Sequence, residues 1–215
     1  RMVSSFVEKI DQKYSAVLDE QGKTYVKFAV DGSKRMRKMI IDLLEYSRFQ
    51  RSSQDAEWIN LNEILELEMA TFQDEIQAIN ATLITDQLPT LFAPKSAIIR
   101  LFQNLISNAI KYRKVEIPLI IEIKCEERAN DFLFSIKDNG IGIDDKYQSK
   151  IFTIFQRLHR EEEIPGSGLG LAVCKKVVND LGGNIWFESN SVDGTNFLFN
   201  LPKPNNVHTH EKRSH

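Results

Sequence analysis

From Met2 onward, apolar side chains recur every three or four residues at Phe6, Ile10, Tyr14 and Val17, the spacing of one helical face. Leu18-Asp19-Glu20-Gln21-Gly22 interrupts that period with turn chemistry. A second run restarts at Tyr25, Phe28, Ala29, Met36, Met39, Ile40, Leu43, Leu44 and Tyr46. The pattern predicts an αα-hairpin with two apolar seams over residues 1–51. Two amphipathic helices cannot bury both seams by themselves, so a second copy is expected to complete a four-helix bundle. Packing on the rest of the chain is the alternative.

Beyond residue 51 the period changes. Ser52-Ser53-Gln54-Asp55 reads as a polar linker, extending over 52–57. Trp58-Ile59-Asn60-Leu61 reads as an edge strand and Asn62 as a helix cap, with Ile64, Leu65, Glu68 and Phe72 on a short helix with a narrow apolar face. Residues 81–86 alternate as a strand, and Pro94 can open a helix that continues to about Tyr112. Further strands are predicted at 119–127, 132–138, 184–189 and 195–201, with a helix at about 168–181. The second part of the chain, 58–202, is thus α/β in pattern. The tail 203–215 has no apolar period and is expected to be disordered.

Length and composition narrow the class without naming it. The 215 residues are 42% apolar and 27% charged, which suits a soluble globular protein of one generous domain, or one domain with an appendage. A net charge of −2 argues against a protein built to coat nucleic acid. The charge is uneven, however: net +4 over residues 1–51, −8 over 52–94 and +2 over 95–215. No apolar run approaches the roughly 18 residues that span a bilayer, and no signal-peptide pattern opens the chain, so no direct membrane contact is expected. Cys125 and Cys174 lack the close spacing of a zinc or redox motif and read as reduced thiols of a cytoplasmic protein.

Four stretches carry candidate chemistry. On the helix after Pro94, Asn104, Asn108 and Lys111 sit at i, i+4 and i+7 and share one face. An Asn carbonyl is a hard oxygen ligand suited to Mg2+, and a nearby Lys can neutralise phosphate; a partly exposed helix with a polar edge is the plainer reading. After the strand ending near 138 comes Asp138-Asn139-Gly140-Ile141-Gly142-Ile143. An ionised Asp accepts hydrogen bonds only, so it suits the exocyclic amino group of adenine and repels the carbonyl of guanine, although Asp and Gly are common after any strand.

Gly166-Ser167-Gly168-Leu169-Gly170-Leu171 opens a helix whose first N–H groups and dipole favour phosphate. It lacks the Gly-Lys-Ser/Thr of a P-loop, and only Asp180 could supply the acidic group of a dinucleotide fingerprint, too early in the chain. Residues 144–167 lie between the two glycine motifs with little periodicity and read as a lid over a ligand. Phe152 and Phe155 either pin one end of that lid or serve as ordinary core residues, and His159 reads as a surface side chain.

In this order and spacing the four stretches resemble the N box, first glycine box, F box and second glycine box of two-component sensor histidine kinases, a branch of the GHKL ATP-binding superfamily. The likeness covers residues 1–202, and Asp193-Gly194-Thr195 with Phe197 and Phe199 resembles a further glycine element. The hairpin, together with Ile154-Phe155-Gln156-Arg157-Leu158-His159, is similar to the bacteriophytochrome-like and PAS-linked kinases.

The resemblance implies an α+β chain: a dimerisation and histidine-phosphotransfer hairpin, then an α/β-sandwich whose mixed sheet is covered by helices on one face. It implies that Asn108 ligands Mg2+ with Asn104 beside it. Lys111, Tyr112 and Arg157 would touch the ribose-phosphate of ATP, Asp138 the adenine amino group, Gly140 and Gly142 would admit the ring, and Gly166, Gly168 and Gly170 would surround the phosphates. A homodimer, a response regulator receiver domain and an upstream sensor domain are the implied partners.

Two departures from the family pattern stand out. The expected His-acid pair followed by Pro-Leu-Arg would lie upstream of Arg1, so the phosphoacceptor histidine is expected outside these residues; His159, His208, His210 and His215 all fall outside the hairpin. The N-box helix opens with Ala93-Pro94 in place of an Asp cap, which a helix start tolerates. Among function classes, an ATP-dependent protein-histidine kinase leads. A GHKL ATPase of the gyrase or mismatch-repair type would place a glutamate at position 104 to activate water, and Asn104 cannot act as a general base. A non-catalytic dimer scaffold is the third reading, and a complete set of nucleotide boxes speaks against it.

Overall fold

A computed structural model describes residues 2–48, 56–147, 150–156, 168–190 and 192–203. The chain divides into two compact units after Arg48. The first consists of two helices in contact, α1 (Met2–Tyr14) and α2 (Glu20–Arg48). Asp19 Oδ1 accepts the Gly22 N–H at 2.7 Å and so satisfies one of the free donors at the start of α2. The turn expected over 18–22 therefore ends earlier, and Gly22 lies inside α2. Val30 and Ser33 are buried on α2, the serine hydroxyl donating to the Val30 carbonyl at 2.8 Å. The predicted outward seams stay exposed at Phe6, Ile10, Tyr14, Tyr25, Phe28, Met36 and Ile40.

In the second unit, β1 (Ala56–Asn60) is followed by α3 (Leu61–Thr71), α4 (Gln73–Ala78), β2 (Thr82–Thr85), β3 (Thr90–Pro94) and α5 (Lys95–Lys111). Then come β4 (Ile120–Glu127), β5 (Asp131–Asp138), α6 (Gly170–Asp180), β6 (Ile185–Asn190) and β7 (Gly194–Pro202). The five-stranded sheet has the order β2-β4-β5-β7-β6, with β2 parallel to β4 and the other pairs antiparallel. This is the mixed sheet the resemblance implied.

Several local expectations are corrected. The strand near Trp58 begins at Ala56, so residues 56 and 57 belong to β1 rather than to a linker over 52–57, and residues 52–55 lie outside the described ones. β1 does not border the main sheet but pairs with β3 as a separate ribbon, Trp58 opposite Phe92. The sequence pattern does not signal β3, and Pro94, read as the opening of a helix, is also its last residue; Thr90–Pro94 is a strand through its pairing with β1. Helix α4 is a further element that the pattern does not signal. The cap of α3 is Asn60, whose side chain accepts from the Asn62 N–H at 3.0 Å, and Asn62 instead bonds both the N–H and the carbonyl of Leu88. The expected disordered tail lies outside the described residues beyond Lys203.

Alternation along the strands builds the core. Phe132, Phe134, Ile136 and Asp138 are the buried face of β5, beside Ile121 and Ile123 of β4 and Thr195, Phe197, Phe199 and Leu201 of β7. Phe134 stacks on Phe199 at 4.9 Å, and Phe102 of α5 meets Phe199 edge-on at 6.4 Å. The opposite face of the sheet mixes polar side chains with Leu133, Trp186 and Leu198, and on it Ser135 Oγ donates to Asn196 Oδ1 at 2.7 Å. No described helix is long and apolar enough to cross a membrane.

Candidate functional site

Helix α5 buries a wide stripe from Ala97 to Ile110 and leaves Asn104 and Asn108 half-buried and Lys111 exposed on the remaining face. Each position on that face meets a different part of the chain. Asn104 donates its amide to the Arg100 carbonyl at 2.9 Å, which turns its Oδ1 toward the start of α6. There a Cβ added at Gly170 would sit 2.8 Å from Asn104 Oδ1, so any side chain at the last glycine of the second box would have to push this amide aside. Two turns later, the Tyr112 carbonyl accepts the Ile141 N–H at 2.9 Å, inside the first glycine box. A Cβ at Gly140 would strike that same carbonyl and come within 2.7 Å of Asp138 Oδ1.

The N-box helix therefore acts as a ruler. From Asn104 to Tyr112 is eight residues, roughly 12 Å at 1.5 Å per residue, with the glycine-rich start of α6 at one end and the Asp138 loop at the other. Asn108 lies midway, and its side chain forms no hydrogen bond among the described residues. Lys111 and Tyr112 complete this edge, both with interactions of their own.

Asp138 ends β5 on the core face because 132, 134, 136 and 138 alternate inward. It is 7% exposed, and its Oδ1 accepts from Gly140 N–H at 2.8 Å and Thr195 N–H at 3.3 Å. Burial pushes its carboxyl up to about 6, against the two backbone N–H groups and the charge of Lys114, which hold it down. Asn139, which sequence reasoning passes over, locks this end of the sheet: its Oδ1 accepts from Ile120 N–H at 2.9 Å and its amide donates to the Pro118 carbonyl at 3.0 Å. An Asn beside the last strand residue is only a weak signal in sequence, since both partners come from 19 and 21 residues away.

Gly142 and Gly168 adopt φ of 75° and 71°. The predicted helix at 168 begins instead at Gly170, with Gly168 receiving the Phe155 N–H on its carbonyl at 3.0 Å. Phe155, expected either to pin a lid or to sit in the core, is exposed and holds a left-handed φ of 62°; Phe152 is half-buried with the Lys175 ammonium 5.9 Å from its ring centre. Arg157 and Gly166, like most of the stretch 144–167, lie outside the described residues.

No cluster of three or more His, Cys, Asp or Glu that could hold a metal occurs among the described residues. What the site offers a cation is the Asn108 amide oxygen, a hard neutral ligand that suits Mg2+ when phosphate and water oxygens fill the other positions.

The family model for histidine kinase-, DNA gyrase B- and HSP90-like ATPases matches residues 94–205. The chain is 38% identical over 200 residues to cyanobacterial phytochrome A of Nostoc sp., covering 93% of this chain and 26% of that protein. It is 35% identical over 200 residues to phytochrome-like protein Cph1 of Synechocystis sp., covering 93% of this chain and 27% of that one. It thus spans about a quarter of the length of these curated relatives. Among solved structures, the catalytic domain of histidine kinase ThkA superposes with a TM-score of 0.60 at 28% identity, over 69% of this chain and 97% of that one. ThkA in complex with the response regulator protein TrrA gives 0.66 at 26% identity, over 94% of this chain and 57% of that one.

Proposed function

We propose that this chain, which belongs to the family of histidine kinase-, DNA gyrase B- and HSP90-like ATPases, is the kinase core of a two-component sensor histidine kinase. In this reading it binds Mg-ATP and hands the γ-phosphoryl to a histidine and onward to a response regulator. One observation carries the reading: α5 meets the Asp138 loop at Tyr112 and the glycine start of α6 at Asn104, with Asn108 between them, an order that suits a base, a metal and phosphates along one edge.

Each residue then has a task. Asp138 Oδ1 is engaged by Gly140 and Thr195, so the carboxylate is held still while its other oxygen receives the adenine amino group. The bare Gly140 leaves the ring room to lie against the loop, and Gly142 shares that role. Asn108 would hold Mg2+, which supplies neutralisation of phosphate charge. Gly168 and Gly170 present the first N–H groups of α6 to the phosphates, with Gly166 before them. Lys111, Tyr112 and Arg157 attend the ribose and phosphates.

Asn104 separates this reading from that of a hydrolase. It has no basic oxygen to take a proton from water, so transfer to an external nucleophile is favoured over hydrolysis. Residues 1–51 would form the homodimer, with an upstream sensor domain and a receiver domain as further partners, in the cytoplasm. The lid over 144–167 and the linker before the catalytic domain are parts of the same proposal. None of the four histidines lies in the hairpin, so this 215-residue chain should bind nucleotide without labelling itself.

Calorimetry with ATP, ADP and GTP, with and without Mg2+, tests the site. Magnesium-dependent ATP binding with weak GTP binding is the expected result; equal affinity for the two purines overturns the assignment of Asp138. Acid-labile, base-stable phosphate on the purified chain would contradict the expected lack of self-labelling.

A further inference from the structure

We infer that Ser189 is a positioning residue for the base-binding end of the site, acting through Thr195, Gly194 and Ile143 on the setting of Asp138. The inference rests on the nucleotide-binding reading above. Ser189 lies in β6, the strand at the far edge of the sheet, and belongs to none of the four boxes. Its Oγ nonetheless reaches three groups around Asp138. It accepts the Ile143 N–H at 2.7 Å, donates to the Gly194 carbonyl at 2.8 Å and lies 3.2 Å from Thr195 Oγ1.

A hydroxyl has one proton and two lone pairs. The Gly194 carbonyl has no proton to give, so it takes the Ser189 proton. The Ile143 N–H fills one lone pair, and the Thr195 hydroxyl must then donate to the other. Every hydrogen-bonding capacity of Ser189 is used, which fixes its rotor and the direction of the Thr195 hydroxyl together.

These three partners surround the carboxylate. Thr195 stands opposite Asp138 in the β5–β7 register and gives it the longer of its two backbone bonds, at 3.3 Å. Ile143 closes the loop that carries Gly140 and Gly142. At Gly194 a Cβ would strike the Asp138 carbonyl and sit 2.7 Å from the Gly140 nitrogen, so this turn packs directly against the glycine loop. Without the Ser189 hydroxyl, the Ile143 N–H and the Gly194 carbonyl lose a partner, and the β6–β7 turn keeps its packing on the loop but loses the hydrogen-bonded tie to Ile143. The long Thr195 bond is the one Asp138 gives up first.

Ser135 provides a matched control. Its Oγ lies 2.7 Å from Asn196 Oδ1, part-buried across the same β5–β7 pair but on the face away from Asp138. ATP and GTP affinities of the full chain are measured for the unmodified protein, Ser189→Ala, Ser189→Thr and Ser135→Ala, beside their melting temperatures. Ser189→Ala is expected to weaken ATP roughly fivefold, the weight of about one neutral hydrogen bond, while GTP hardly moves, so the ATP/GTP ratio falls. Ser189→Thr keeps the hydroxyl and restores the ratio. Ser135→Ala lowers the melting temperature and leaves the ratio alone.

An unchanged ratio in Ser189→Ala, or equal losses for both nucleotides in step with stability, overturns the inference and leaves the base-reading role of Asp138 intact. If the unmodified protein shows no preference for ATP, that role falls and this inference falls with it. Should Ser189→Ala fail to fold, Thr195→Val cuts the same link from the other side. A falling ratio there supports the inference, and an unchanged one overturns it.

Discussion

The two units of this chain differ most in what they bury: both expose apolar side chains, Trp58 and Phe92 among those of the α/β unit, but among the described residues only the α/β unit encloses carboxylates. The hairpin leaves Phe6, Ile10, Tyr25, Phe28, Met36 and Ile40 in water, whereas the α/β unit closes its own aromatic core and then buries the carboxylates of Asp138 and Glu68. Neither arrangement is favourable by itself, since a buried apolar side chain gains ~1.5–3 kcal/mol over an exposed one and a buried charge loses hydration. The contrast separates two causes. On the reading proposed above, the exposed seams of the helix pair would be covered by a second copy, and the buried carboxylate held by backbone N–H groups would meet the nucleotide base. Glu68 fits neither cause: its Oε2 has no hydrogen-bond partner among the described residues, which give it no task.

The strongest way to break this comparison is at the hairpin. If a second copy covers the seams, Phe28→Asp removes one apolar side chain from each protomer, a loss of ~3–6 kcal/mol on the dimer from two burials. Sedimentation across a concentration series should show a dimer become a monomer. A monomer at every concentration in the unmodified chain would end the four-helix-bundle reading.

Next in size is Asp138. Asp138→Asn should weaken ATP by ~1.5–3 kcal/mol, the worth of a hydrogen bond to a charged group, about ten- to a hundredfold in Kd. The carboxyl sits at about 6 in the folded protein against an ordinary 3.8, so two pH trends of opposite sign follow. Protonation removes the acceptor, and ATP affinity should therefore drop as pH falls through about 6. The stability of the ligand-free fold should instead decline as pH rises from 3.8 through about 6, because the unfolded chain loses that proton first. A flat ATP-binding profile between pH 5 and 8 in the unmodified protein would mean that this carboxylate does not meet the base.

Glu68 gives the smallest effect and sharpens the contrast. Its carboxyl is pushed above its ordinary 4.5 by burial alone. Glu68→Leu should raise the melting temperature by a few degrees, about 1 kcal/mol of recovered desolvation. The advantage should be small below pH 4.5, where Glu68 is protonated in both the folded and the unfolded chain, and should grow as pH rises, since only the charged form is penalised. Nucleotide affinity should stay unchanged. A loss of ATP binding in Glu68→Leu would show that this carboxylate, like Asp138, answers to a ligand.

Much of the molecule is legible in the amino-acid sequence itself, for reasons that are local. Helical spacing at Phe6, Ile10 and Tyr14, alternation at 132–138, and glycines beside Asp138 and before α6 each reflect a rule that acts within a few residues, so α1, α2, α5, β5 and α6 fall close to their predicted spans. The α3 pattern even puts Glu68 on the apolar face, though not its lack of a partner. What the sequence does not supply are the pairings between distant segments. β3 exists through its register with β1, Asn62 is a clamp on Leu88 rather than a cap, and Gly170 lies against the amide of an asparagine 66 positions earlier. Ser189 has the same character, since one hydroxyl is meaningless in a strand until the fold sets Ile143, Gly194 and Thr195 around it. Periodicity reports which face of an element seeks burial; only the closed core decides which polar groups meet at its edge, because hydrogen bonds depend on fractions of an ångström that hydrophobic burial does not specify.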